Sequence, residues 1–139
     1  TVEASLGRSS KNRLKMSVSE GADAREARTH WRVLDRFRGI CLVECKLDTG
    51  RTHQIRVHMA HIGHPLLGDI TYGGGPELAI QLISPYDTNL RAAIKGIQRQ
   101  MLHAHELKFT HPRTSAELHF KQPPPPDFEA IMERLKKSS

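Results

Sequence analysis

At 139 residues the chain has the length of one compact domain or a piece of a larger one, and no run of about 18 apolar residues could carry a helix across a bilayer. With 21 Lys and Arg against 15 Asp and Glu, the formal net charge is +6, a balance that suits a phosphate-bearing partner but that solubility alone also explains. The chain opens at Thr1 rather than at a methionine, a first hint of a truncated or processed product, and no charged-then-apolar leader is visible in it.

Residues 1–16 read as irregular and basic, with Arg8, Lys11, Arg13 and Lys15, and residues 21–26 as a small polar turn. From Thr29 the pattern alternates: Trp31, Val33, Asp35 and Phe37 interleave with His30, Arg32, Leu34 and Arg36, which predicts a strand. Arg38-Gly39 is a turn signal, and Ile40 to Leu47 reads as a second strand, so the two form a hairpin closed by Asp48-Thr49-Gly50. Cys41 and Cys45 lie in this second strand. Four residues of strand rise about 13 Å, whereas a disulfide needs Cα atoms within about 7 Å. The pair should therefore stay reduced, as suits an intracellular compartment, and its spacing does not match a zinc knuckle.

The period becomes helical from Thr52, where Ile55, Met59 and Ile62 form one apolar stripe that Gly63 and Pro65 should end. The glycine-rich segment from Thr71 to Pro76 reads as loop. In residues 77–100, Leu90, Ile94 and Ile97 suggest a short helix, and the remainder reads as an insertion. Leu107 to Thr110 and Glu117 to Lys121 are predicted strands around the turn His111-Pro112-Arg113-Thr114. The prolines from Pro123 to Pro126 interrupt regular structure, and Phe128, Ile131, Met132 and Leu135 mark a closing amphipathic helix. Strands and helices without βαβ alternation imply an α+β fold in a single unit spanning residues 1–139.

The residues that can carry chemistry concentrate between Thr49 and Met59. Arg51 and Thr52 stand at a helix start, where backbone N–H groups favour anions, and Arg56 follows one turn later. An arginine there can hold a carboxylate or phosphate through two parallel hydrogen bonds. The alternatives are a solvated helix face or a salt bridge to a local acid. His58, His61 and His64 recur every three residues, but no HExxH pattern is present and His64 lies beyond the helix stop, so no metal is expected. Asp69 reads as a turn or cap residue. Neither GxxxxGK[ST] nor G-x-S-x-G occurs, which leaves nucleotide-loop and serine-hydrolase chemistry without support.

The block from Gly50 to Asp69, with its Gly50-Arg51-Thr52-His53-Gln54-Ile55-Arg56 core and the following Tyr72-Gly73-Gly74, resembles the third motif of RluA-type pseudouridine synthases. Thr29 to Phe37 resembles the strand before that motif. Arg99 to Ala104 and Leu107 to Pro112 resemble the family's last motif. The similarity is closest to the RluD-like branch, which modifies large-subunit ribosomal RNA, and it spans nearly the whole chain apart from residues 77–95.

The resemblance implies the C-terminal part of the pseudouridine synthase fold, a mixed and mostly antiparallel sheet with flanking helices. It also implies a reaction: a uridine is flipped from its stack, its glycosidic bond is cut, and the base is rejoined through a ring carbon without metal or organic cofactor. The family's catalytic aspartate lies in an HRLD-x-x-[TS]-[TS]-G motif that this chain lacks. Asp35, in Val33-Leu34-Asp35-Arg36, lacks the residues that should follow it and lies in the wrong strand. Neither Tyr72 nor Tyr86 matches the position of the family's tyrosine.

Arg56 aligns with the basic residue aimed at the catalytic carboxylate, where it would keep that acid ionised. Ile55 and Leu102 would pack near the flipped base, and Arg51, His53 and Gln54 would contact RNA or form the site wall. The expectation is thus a cytoplasmic RNA-modifying enzyme acting on structured, ribosomal RNA. This chain would be inactive alone and would either be marginally stable or pair with a second copy over an open apolar face. A basic module that only binds RNA is the other reading.

Overall fold

A computed structural model describes residues 1–8, 16–19, 24–37, 39–51, 53–104, 106–110 and 117–137. Its centre is the expected hairpin. Strands β4 (Arg28–Arg36) and β5 (Cys41–Leu47) pair antiparallel, with Thr29 opposite Leu47, Trp31 opposite Cys45 and Val33 opposite Val43. The register shifts between Val33 and Asp35, a bulge that lets the rest of the ladder continue to Arg36 opposite Cys41. Both cysteines are free.

The N-terminal segment is not irregular as expected. β1 (Val2–Glu3) adds to the free edge of β4, giving the order β1-β4-β5, and β2 (Leu6–Arg8) pairs antiparallel with β3 (Met16–Val18). Strands of two or three residues are too short to show a period. Leu6 nevertheless anchors a small core with Ala27 and Val57, edged by Met16 and Tyr72.

Helix α1 (Gln54–His61) follows the hairpin, and Gly63, at a φ of +87°, follows its end. Its buried residues are Gln54, Val57, His58 and Met59. Of the predicted stripe of Ile55, Met59 and Ile62, Met59 is buried while Ile55 and Ile62 remain half-buried, so the inward face is shifted toward Gln54, Val57 and His58. Two polar side chains take the interior because hydrogen bonds satisfy them there.

The segment 77–100 is likewise more than an insertion. It forms α2 (Pro76–Leu82), which opens on a proline suited to a first helical turn, and α3 (Thr88–Lys95), capped by Asp87 Oδ1 accepting from Leu90 N at 3.1 Å. With α4 (Pro126–Lys137) these helices build the main core from Ala79, Ile83, Leu90, Ile94, Ile131 and Leu135. Between α2 and α1, the segment expected as loop carries a 3₁₀ turn at Ile70–Tyr72. β6 (Glu106–Thr110) and β7 (Glu117–Lys121) pair antiparallel as expected, while the turn predicted at residues 111–114 lies outside the described residues. Every strand pairing described is antiparallel.

Candidate functional site

The site grows from the junction between the hairpin and α1. Residue His53 precedes the helix with φ 55° and ψ 21°, the one positive-φ residue other than glycine among those described. That left-handed step lets Gln54 turn inward. Its Oε1 accepts from the Thr49 hydroxyl at 2.8 Å and from Arg51 N at 3.0 Å. Its Nε2 donates to Arg28 O at 2.8 Å and to Thr29 Oγ1 at 3.0 Å.

The chain of bonds continues from Thr29 to His58 Nδ1 at 2.8 Å, and His58 Nε2 donates to Ala4 O at 2.8 Å. A carbonyl can only accept, so in the neutral ring Nε2 carries the proton and Nδ1 accepts from the Thr29 hydroxyl. Gln54 and His58 are thus committed to tying α1 to Ala4 just after β1, to β4 and to the Thr49 turn. At 2% exposed, Gln54 has no polar atom left for RNA.

The next face of α1 carries Arg56. Its Nε donates to Asp69 Oδ2 and its Nη2 to Asp69 Oδ1, both at 2.9 Å. The Arg56 side chain is 14% exposed and that of Asp69 is 0%. The guanidinium lies over the Tyr72 ring, 5.0 Å from its centroid, and the ring of His53 meets Tyr72 edge-on at 5.7 Å. His53 Nδ1 and the Tyr72 hydroxyl are 2.7 Å apart. Burial and the adjacent Arg56 charge push the His53 imidazole below its ordinary value, partly opposed by Asp69. The Asp69 hydrogen bonds hold Arg56 firmly in its charged form.

Asp69 stands at the cap of the 3₁₀ turn, as the turn-or-cap reading has it, and its carboxylate is also the local acid that pairs with Arg56. The signal was the pairing of a helix arginine with an acid in a Gly68-to-Gly74 turn. Asp69 N donates to Leu66 O, Gly74 N to Asp69 O and Gly68 N to Gly74 O, at 3.0, 2.7 and 2.7 Å.

Ile55 and Leu102 lie elsewhere, on an apolar cleft of about 470 Å³ between the hairpin, α1, α2 and α4. Trp31, Val43, Met59 and Leu82 line it as well. Arg51 is exposed and donates from Nε to Glu26 O at 2.9 Å. Asp35 is exposed on β4 and accepts from Arg36 N. His61 and His64 are exposed, and no group of three potential metal ligands gathers among the described residues. The structure therefore brings His53 and Arg56 together and places Ile55 and Leu102 in one cleft.

Residues 1–61 match the family model described as RNA pseudouridylate synthase. Over 139 residues the chain is 42% identical to "Ribosomal large subunit pseudouridine synthase D" of Xanthomonas campestris. Over its whole length the chain is thus similar to RNA pseudouridine synthases. A further relative of this family, "Uncharacterized RNA pseudouridine synthase YlyB" of Bacillus subtilis, is 43% identical over 99% of the chain. Among solved structures, Human RNA Pseudouridylate Synthase Domain Containing 4 superposes with a TM-score of 0.65 at 27% identity, covering 97% of this chain and 55% of that one. The chain spans 40% of the Xanthomonas synthase and 39% of the Bacillus one.

Proposed function

We propose that this chain is the RNA-gripping, carboxylate-supporting part of an enzyme that isomerises uridine to pseudouridine in large-subunit ribosomal RNA. The observation that carries the reading is identity of 42% over all 139 residues with a synthase named for that RNA. In this reading the nucleophilic or basic aspartate comes from outside these residues. Arg56 keeps it ionised, because a fixed cation beside a carboxylate lowers its pKa. Ile55 and Leu102 offer the flipped base an apolar wall. Arg51 and His53 face RNA at the helix start, while Gln54 supports them from behind.

The reading supplies two linked expectations. Alone, the chain releases no tritium from uridine-labelled ribosomal RNA, and turnover by the 139-residue chain would overturn the external aspartate. It also binds that RNA in a salt-sensitive way, because the net charge of +6 displaces counterions. Filter binding at two salt concentrations checks this, and affinity independent of salt would remove the phosphate-gripping role. No helix of the described residues is long and apolar enough to cross a membrane.

A further inference from the structure

At the start of α1 the ring of His53 is held at one nitrogen and open at the other. The left-handed step at φ 55° accompanies a contact of 2.7 Å between His53 Nδ1 and the Tyr72 hydroxyl. An N–H donor usually keeps about 2.9–3.0 Å to its acceptor, so the shorter contact suits an O–H donor. The Tyr72 oxygen accepts from Met16 N at 3.1 Å, and the Arg56 guanidinium, 5.0 Å from the ring centroid, polarises the phenol toward giving its proton. His53 is half-buried. Among the described residues its second nitrogen, Nε2, makes no hydrogen bond, and no buried side-chain nitrogen or oxygen lacks a partner; Nε2 is therefore open to solvent.

We infer that Tyr72 is a positioning residue: by donating to Nδ1 it fixes His53 in the tautomer that carries its proton on Nε2, and so presents one N–H to an oxygen of the RNA. This rests on the RNA reading above and leaves Arg56 with the external carboxylate. A neutral imidazole has one donor and one acceptor, and the bond made by one nitrogen decides what the other offers. Burial and the Arg56 charge disfavour the protonated ring, so the tautomer governs what His53 shows to a partner. Without the Tyr72 hydroxyl both tautomers populate, and only a fraction of the molecules present the donor that binding needs.

The test uses the whole 139-residue chain and a short uridine-containing RNA read by fluorescence anisotropy, with affinities corrected for the folded fraction. His53→Asn tolerates the left-handed backbone and places an amide near the Nδ1 position, but has no atom at Nε2. Loss of that one neutral hydrogen bond corresponds to about a fivefold drop in affinity. Tyr72→Phe keeps the ring beside Arg56 and removes only the hydroxyl, for a smaller drop of roughly twofold to threefold. If Tyr72 works through His53, Tyr72→Phe adds nothing in the His53→Asn background. Full affinity in either single variant, or additive losses in the double variant, would overturn the inference. The same RNA made abasic at the uridine locates the acceptor: a loss that persists assigns it to the sugar-phosphate backbone, and a loss that disappears assigns it to a uracil carbonyl.

Should Tyr72→Phe fail to fold, proton–nitrogen NMR of the unmodified chain decides, recorded above the ordinary histidine value of 6.5. The His53 ring is expected to show a protonated Nε2 and a bare Nδ1, and added RNA to shift Nε2 more than Nδ1. A proton found on Nδ1 would remove the role given to Tyr72. An unmodified chain that binds no RNA would sink both the reading above and the presentation of Nε2, while the tautomer of the free chain still tests the Tyr72 contact by itself.

Discussion

His53 occupies a conformation that costs a residue with a Cβ about 1–2 kcal/mol. At φ 55° it is held against the Tyr72 hydroxyl and beside Arg56. Its imidazole titrates below the ordinary value of 6.5 because burial and the neighbouring cation both disfavour the charged ring. The sign follows from linkage. Between the two values the unfolded chain binds the proton and the folded chain does not, so this contribution is complete above about pH 6.5 and is lost as pH falls. Thermal melts at pH 7 and pH 5 are expected to show a smaller acid loss in His53→Asn than in the unmodified chain. Asn also tolerates the left-handed backbone. Equal losses would mean that His53 is not the group responsible. Asp48 and Asp127 are also held below the ordinary carboxylate range, Asp48 chiefly by His30 and Asp127 chiefly by Arg99, so their contributions fade at lower pH and do not mask the comparison.

At the scale of elements, the junction of the hairpin with α1 depends on a hydrogen-bond relay rather than on apolar contact. Thr29→Val keeps the shape of the side chain but removes the hydroxyl between Gln54 Nε2 and His58 Nδ1. Two buried polar atoms then lose a partner, and the expected cost is about 1–3 kcal/mol, measured as a lower urea midpoint with an unchanged slope. An unchanged midpoint would show that the relay contributes no net stability.

The same junction shows what could be read from the sequence. The hairpin was legible because nine residues of β4 and seven of β5 give alternation room to appear. The position of α4 was legible from Phe128, Ile131, Met132 and Leu135. The inward face of α1 was not, because Gln54 and His58 are polar and only their partners in three other segments make burial favourable. The Arg56 motif was visible as a cation site. Its partner Asp69 was not singled out, since the contact spans 13 residues and depends on the tight Gly68–Gly74 turn.

For the molecule as a whole, the buried apolar side chains divide between two centres. Among the described residues six belong to the helical core of α2, α3 and α4 and three to the small core of Leu6, Ala27 and Val57, with Val2 and Met59 buried outside both. Beside the helical core, at Ala79, Ile131 and Leu135, runs the cleft of about 470 Å³, walled also by Trp31, Val43, Ile55, Met59, Leu78 and Leu82. Of these, Leu78 is 44% exposed, Leu82 53% and Trp31 37%. An apolar trough of this kind favours association once concentration allows, because covering it removes hydrocarbon from water at roughly 25 cal/mol per Å². Self-association over this face is therefore proposed, with the two exposed leucines of α2 as its most accessible contacts. Sedimentation velocity over rising concentration should show the unmodified chain moving toward a dimer. Leu78→Glu combined with Leu82→Glu should hold it monomeric, since two carboxylates facing a partner's apolar wall must be desolvated without compensation. The thermal midpoint of the double variant should fall only modestly, because about half of each side chain is already in water. A chain that sediments as a monomer at every concentration would eliminate self-association through the cleft, and a double variant that still dimerises would place the contact on another face.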